Sequence, residues 1–253
     1  MFLASDYDGT LFHGSISEAD LEQINRFRAE GHYFGIVTGR SLDSINYEVI
    51  NRKIPVDFII GNNGGAIQNH LNETLLLKTI DFNIIPQILE TILEFDPIYY
   101  GLNDGYRVAR VSRKANDHPN PYATYVSIEE ILENQIVSAL FAGFEDRTRV
   151  RICTDHLNAK FNGLITAYPN KGGLDICAYG INKKSGVDYI AKYLNVKSPI
   201  HVIGDSFNDV PMIEGFGGFA MKNGDEEVKL LASNVFDSVN DALLYVMQSD
   251  AVK

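Results

Sequence analysis

The chain has 253 residues, 45% of them hydrophobic, and sets 22 Lys+Arg against 33 Asp+Glu for a net charge of -11. That length suffices for a buried core in one large domain or two modest ones, and the apolar content excludes a disordered chain. The negative balance repels a polyphosphate backbone and so excludes nucleic acid as an expected partner. A small phosphorylated ligand stays compatible, because a metal ion and one or two lysines reverse the sign locally.

In chain order, Met1 to Ser5 is a short apolar strand that runs directly into the polar turn Asp6-Tyr7-Asp8-Gly9-Thr10. Ser17 to Glu30 has apolar residues at helical spacing and stops at Gly31. Tyr33 to Val37 reads as a buried strand broken by Thr38-Gly39-Arg40, and Ser41 to Asn51 as a helix capped by Ser41 or Asp43. Phe58 to Ile60 is a third strand, ended by Gly61-Asn62-Asn63-Gly64-Gly65. Strands alternating with helices on short connections predict a parallel α/β sheet, whose ligand site lies outside the carboxyl ends of its strands. All three polar turns therefore belong on one edge.

The middle of the chain has another rhythm. A helix over Ile84 to Phe95 is followed by a hairpin, Ile98 to Asn103 and Tyr106 to Val111, turning at Asp104-Gly105. A helix over Ser127 to Glu133 opens on a capping box, Ser127 with Glu130. Then come a strand over Val137 to Phe144, a helix over Glu145 to Phe161 and paired strands over Gly163 to Tyr168 and Gly173 to Ala178. This order predicts an inserted α+β unit over about residues 82–176, leaving 1–81 and 177–253 as a discontinuous core. The α/β pattern then returns with a helix over Ser185 to Leu194 and a strand over Ile200 to Ile203 before the turn Gly204-Asp205-Ser206-Phe207-Asn208-Asp209. Short edge strands at Gly218 to Met221 and Asn234 to Phe236 precede a terminal helix over Asp241 to Gln248.

Cys153 and Cys177 have neither CxxC spacing nor a dense framework, which predicts two reduced thiols. Met1 to Ser5 is too short for a signal peptide, and no apolar run approaches the ~20 residues that span a bilayer. The expectation is a soluble, cytoplasmic protein that engages no membrane.

Four polar clusters offer chemistry. Asp6 and Asp8, two apart at a strand end, can share a hard divalent cation, although a solvated Asp-x-Asp turn reads the same way. Thr38-Gly39-Arg40 presents a hydroxyl and backbone N–H groups before a helix, suited to a phosphoryl group or simply an ordinary strand-to-helix turn. Lys183 and Lys184 precede another helix, as a surface lysine pair also would, and Asp205 to Asp209 adds two carboxylates and an amide. All four fall on one predicted edge of one sheet.

In that order they resemble the haloacid dehalogenase-like hydrolase superfamily, in particular its Cof-type phosphatases of subfamily IIB. The resemblance rests on Asp6-Tyr7-Asp8-Gly9-Thr10-Leu11, Thr38-Gly39-Arg40, Gly180-Ile181-Asn182-Lys183 and Gly204-Asp205-Ser206-Phe207-Asn208-Asp209, continued by Met212 and Ala220-Met221-Lys222-Asn223-Gly224. Asn63-Gly64 is similar as well, while Lys184 stands where the family usually has Gly. Tyr7 between the aspartates also resembles the trehalose-phosphate and sucrose-phosphate phosphatases.

The resemblance implies a Rossmann-like parallel core flanked by helices, with the inserted unit as an α+β cap that selects the substrate. It implies a Mg2+-dependent phosphatase for a small phosphorylated metabolite, most naturally a sugar phosphate. Asp6 would be the nucleophile and Asp8 the acid and base. Asp6, the Asp8 backbone carbonyl, Asp205 and Asp209 would serve the metal, and Thr38, Gly39, Lys183 and Asn208 the phosphoryl oxygens. A phosphomutase of the same superfamily, or a non-catalytic phospho-ligand sensor on the same scaffold, is the alternative. Arg107, Arg110, Arg113, Lys114 and His118 either reach a second anionic group or form a solvated basic face.

Overall fold

In a computed structural model, residues 1–115, 117–119, 124–170, 172–197 and 199–250 are described, with Asp250 described by its backbone alone. Two sheets organise the chain. The larger is built from β1 (Phe2–Ser5), β2 (Tyr33–Val37), β3 (Phe58–Gly61), β4 (Ala66–Asn69), β5 (Thr74–Leu77), β12 (Ile200–Gly204), β13 (Phe219–Met221) and β14 (Asn234–Phe236). Its order is β14-β13-β12-β1-β2-β3-β4-β5. From β14 to β3 every pair is parallel, as expected. The strands β4 and β5 extend it with antiparallel pairs, so the sheet is mixed. These two were not foreseen, because residues 66–77 carry no helix to signal a crossover and their strands are only four residues each.

The continuous apolar run at the start of the chain is explained by burial on both faces. Leu3 packs on one side with Ile24 and Phe27 of α1 (Glu18–Ala29), Ile45 of α2 (Leu42–Asn51) and Leu243 of α9 (Val239–Asp250). Its neighbours Phe2 and Ala4 face the other way, against Val187 and Ile190 of α6 (Lys183–Tyr193) and Met212 of α7 (Val210–Phe216). A further short helix, α8 (Glu226–Leu231), adds Val228 to this second layer. Ser17 caps α1, its hydroxyl accepting from the Asp20 N–H at 3.0 Å. Ser41, rather than Asp43, is the cap residue of α2.

The second sheet has β6 (Tyr99–Asn103), β7 (Val108–Ser112), β8 (Tyr125–Val126), β9 (Ala139–Gly143), β10 (Ile165–Pro169) and β11 (Gly173–Ala178), in the order β10-β11-β9-β6-β7-β8. It is antiparallel except for β7 with β8. Three helices cover one of its faces: α3 (Ile85–Glu94), α4 (Ile128–Asn134) and α5 (Arg147–Lys160). Leu102, Leu140, Ala142, Leu174 and Ile176 of the strands meet Ile88, Ile92, Ile131, Val150 and Leu157 of the helices in a core of their own. The capping box at Ser127 and Glu130 forms as read from the sequence. Cys153 and Cys177 are both free and buried. Among the described residues, no helix is long and apolar enough to cross a membrane.

Candidate active site

The polar turns after β1, β2, β3 and β12 meet at the carboxyl edge of the parallel sheet, with β1 and β12 side by side. The Asp6 N–H, just past β1, continues the ladder to the Ile203 carbonyl at 2.9 Å, which points the side chain into the edge. Around it a cavity of about 170 Å³ is lined by Asp6, Asp8, Thr38, Gly39, Asn208 and Asp175, with Arg40 beside them.

Its floor is a buried charge cluster. Carboxylate oxygens of Asp6, Asp205 and Asp209 lie within 4.8 Å of one another. Lys183, only 1% exposed, places Nζ 2.7 Å from Asp6 Oδ1 and 2.6 Å from Asp209 Oδ1. The Thr10 hydroxyl lies 3.3 Å from both Asp6 Oδ2 and Asp205 Oδ1. Burial pushes the Asp6 carboxyl well above its ordinary range. The Lys183 ammonium opposes that shift, while Asp209 and Asp205 add to it. Lys183 itself stays charged, its carboxylate partners outweighing its burial. Three buried carboxylates around one ammonium leave an uncompensated negative charge, and their oxygen-only donor set fits a hard divalent cation.

Local structure explains each placement. Asn182 caps α6 by accepting the Ser185 N–H at 2.9 Å, so Lys183 enters the first turn with its side chain aimed at the sheet edge. Lys184, one residue on, pairs instead with Asp188 on the helix surface at 2.6 Å, which settles which lysine faces the carboxylates. Asp209 accepts the N–H groups of Asp205 and Ser206 on Oδ2, both at 2.9 Å, and so braces the turn that carries Asp205. The Ser206 hydroxyl donates to Asn208 Oδ1 at 2.8 Å.

The turn after β3 stitches these parts together. Asn62 and Asn63 adopt φ of 49° and 51°, left-handed values that Asn tolerates better than other non-glycine residues. Gly64 follows with φ of 106°, and a Cβ there would overlap the Asn182 carbonyl oxygen. In this conformation the Asn63 N–H donates to the Thr38 carbonyl and the Asn62 N–H to the Arg40 carbonyl, both at 2.9 Å. The Asn63 side chain accepts from Asn208 Nδ2 at 3.1 Å and donates to Asp175 Oδ2 at 3.0 Å.

Asp8 is placed differently from the other aspartates. Its carboxylate is not in the Asp6–Asp205–Asp209 cluster but is held by Arg40 through two bonds of 2.7 Å, with the side chain about half exposed at 51%. Arg40 is itself anchored to buried Glu48 at 3.0 Å. Glu48 also accepts from the Tyr7 hydroxyl at 3.0 Å and from Arg52 at 2.6 Å. Burial raises the Glu48 carboxyl, but the bonds from Arg52, Tyr7 and Arg40 outweigh it and hold the carboxyl below its ordinary range.

The sequence reading missed Glu48, Asn63 and Asp175 as parts of this site, and for Arg40 it missed the pairing with Asp8. Only the position of Arg40 directly after Thr38-Gly39 and the Asn63-Gly64 turn gave a signal. Of the basic residues in the middle segment, Arg107 pairs with Asp104 at 2.8 Å and Lys114 with Asp96 at 2.9 Å. Arg110 pairs with Asp117 and lies over the Tyr99 ring.

Helices on both faces of a parallel sheet, with a charged cavity at its carboxyl edge, mark an α/β enzyme. The haloacid dehalogenase-like hydrolase family model matches residues 3–247, and the chain belongs to that family, in its Cof-type branch. It is 27% identical to the 5-amino-6-(5-phospho-D-ribitylamino)uracil phosphatase YitU of Bacillus subtilis, over 91% of this chain and 90% of that protein. A haloacid dehalogenase-like hydrolase from B. subtilis superposes with a TM-score of 0.82 at 19% identity, covering 95% of each chain. A HAD subclass IIB sugar phosphatase superposes with a TM-score of 0.81 at 20% identity, covering 97% of this chain and 98% of that one.

Proposed function

We propose that this hydrolase is a Mg2+-dependent phosphatase that cleaves a small phosphate monoester, most naturally a sugar or polyol phosphate, through an aspartyl-phosphate on Asp6. The observation that carries this reading is the buried cluster of Asp6, Asp205 and Asp209 around Lys183 at the cavity floor. Asp6, the Asp8 backbone carbonyl and Asp205 would hold the cation, with Asp209 bracing the turn. Bound there, Mg2+ would neutralise charge on the phosphoryl oxygens.

An Asp6 carboxylate oxygen attacks phosphorus as the bond from phosphorus to the ester oxygen breaks. Lys183, Asn208, Thr38 and the Gly39 N–H bind the equatorial oxygens. Asp8 gives its proton to the departing alkoxide. It then takes one from the water that attacks the phosphorus of the aspartyl-phosphate, releasing phosphate and restoring Asp6. For this Asp8 must leave Arg40 and turn into the cavity.

Residues 82–176 form the cap that excludes water and selects the alcohol. Two reduced thiols accord with a cytoplasmic setting. The relative YitU is named for a ribityl phosphate, and a structural neighbour for sugar phosphates, which supports this substrate class.

The test is phosphate release from a panel of monoesters, with Mg2+ and with chelator, for wild type and Asp6→Asn. Metal-dependent release that the substitution abolishes, with the circular-dichroism spectrum unchanged, is the expected result. Full activity in Asp6→Asn would end the aspartyl-phosphate reading.

A further inference from the structure

A reciprocal pair of buried amides joins the inserted unit to the turn after β3. Asn103 is the last residue of β6, and Asn62 directly follows Gly61 at the end of β3. Asn103 Nδ2 donates to Asn62 Oδ1 at 2.7 Å, and Asn62 Nδ2 donates back to Asn103 Oδ1 at 3.1 Å. Asn62 Nδ2 also donates to the Ser138 hydroxyl at 3.1 Å. All three residues are buried. The Ser138 N–H donates to the Asn103 carbonyl at 2.7 Å, so the two residues that receive Asn62 are themselves tied together.

Asn103 reaches a second core turn as well. Its Oδ1 accepts the Gly105 N–H at 2.7 Å, in a bend where Gly105 takes φ of 108°. The Gly105 carbonyl then accepts the Leu42 N–H at 3.0 Å, two residues after Arg40. On the other side, the Asn62 carbonyl accepts from the Cys177 thiol at 3.5 Å, on the strand that leads back to the core.

Two chain crossings alone would let the inserted unit rotate against the core. Parting Asn62 from Asn103 would strip buried amide groups of their partners, and a buried donor or acceptor left unpaired bears its full desolvation cost. The pair therefore resists rotation at this point, and the effect passes to the next residue. Asn63 accepts from Asn208 Nδ2 at 3.1 Å and donates to Asp175 Oδ2 at 3.0 Å. Asn208 lines the catalytic cavity. With φ of 49° and 51°, Asn62 and Asn63 send their amides from one turn to different partners, so a tilt at Asn62 displaces the group that orients Asn208.

We propose that Asn62 and Asn103 are positioning residues for the phosphoryl site. Their paired amides, with the Ser138 hydroxyl, fix the turn after β3 and, through Asn63, the Asn208 amide. The proposal rests on the phosphatase reading only for what Asn208 binds.

The experiment is a double-mutant cycle with Asn62→Gly, Asn103→Ala and the two combined. Glycine keeps the positive φ at residue 62 and removes only the amide. Ile92→Ala, in the inserted unit's own core, serves as a variant that is destabilised without touching the pair. Michaelis kinetics are measured on the best ester of the panel, well below each melting temperature. Each single variant is expected to lose about tenfold or more in kcat, with KM moving less, as misplaced binding groups do. The double variant should fall within about twofold of the worse single, because both changes break one pair. Ile92→Ala should keep kcat within about twofold of wild type. Wild-type kcat in both singles, losses that multiply in the double, or an equal loss in Ile92→Ala would each overturn the proposal.

A second arm needs no turnover. In 15N-labelled protein the Asn208 side-chain amide signals are identified by their absence in Asn208→Ala. Both single variants should shift these signals and speed their exchange with solvent, while Ile92→Ala leaves them in place. Such a shift upholds the positioning role even if wild type releases no phosphate, so that the phosphatase reading fails alone. Unmoved Asn208 signals in both variants would refute the role even in an active phosphatase.

Discussion

Asp8 shows how much of a residue's behaviour is set by groups it does not touch. Arg40 holds its carboxylate through two 2.7 Å bonds, and Arg40 is fixed by Glu48, which Tyr7 and Arg52 hold in turn. Removing the Glu48 charge leaves Arg40 without its inner anchor, so Asp8 should be held less firmly in its present rotamer. Glu48→Gln is expected to lower stability by roughly 3 kcal/mol, the cost of breaking a buried ion pair, read by urea unfolding at neutral pH. The sign with pH follows from the lowered Glu48 carboxyl. A depressed acid contributes stability above its unfolded value of about 4.3 that is lost as pH falls through the folded value. The gap between wild type and Glu48→Gln should therefore close in acid. A gap that widens on acidification would contradict the network.

The turn after β3 shows the same dependence for a whole element. Asn62, Asn63 and Gly64 take three successive positive φ values, which lets their N–H groups reach the Thr38 loop and lets the Asn182 carbonyl pass against Gly64. Lys183 is one residue beyond that contact. Gly64→Ala should push the start of α6 away from the sheet edge and strain the backbone. Together these are expected to cost at least about 1 kcal/mol of stability. The Lys183 ammonium would shift with the helix, so kcat should fall more steeply than stability alone explains, as Michaelis kinetics well below the melting temperature would show. Unchanged kcat in a destabilised protein would mean that α6 does not move.

At the scale of the whole molecule, the carboxylate cluster joins segments distant in sequence: Asp6 after β1, Lys183 at α6, and Asp205 and Asp209 after β12. A cation taken up by this cluster would tie those segments together and, needing the assembled carboxylates, would favour the folded state. At about a hundredfold excess over its dissociation constant, Mg2+ should add ~2.7 kcal/mol of stability. In a chain of this length that is an upward shift of roughly 5–10 °C in Tm. Asp205→Asn should abolish most of the shift, and calorimetric scans in Mg2+ and in chelator give the comparison. Between the two sheets, α5 reaches the larger one through Arg147 to Asp225 at 3.0 Å and Arg151 to Glu227 at 3.2 Å. These solvent-facing pairs add little each, and salt screens them.

Local pattern determined much of this protein. Buried strands as apolar runs, helices with their caps, polar turns after strands, and the gathering of those turns on one edge all follow from periodicity and turn chemistry acting over a few residues. The capping box at Ser127 and the burial of β1 on both faces are of this kind. The acidic turns and the Lys183-Lys184 pair were legible because the motif order carried them. Tertiary structure alone decided the rest. It chose Lys183 over Lys184 through the angle at which α6 starts. It turned Asp8 onto Arg40, put Asn63 between Asn208 and Asp175, and laid Tyr99 and Phe141 across glycines on neighbouring strands. Each of these depends on a contact between residues far apart in the chain, and periodicity within a segment carries no information about which distant segment will face it.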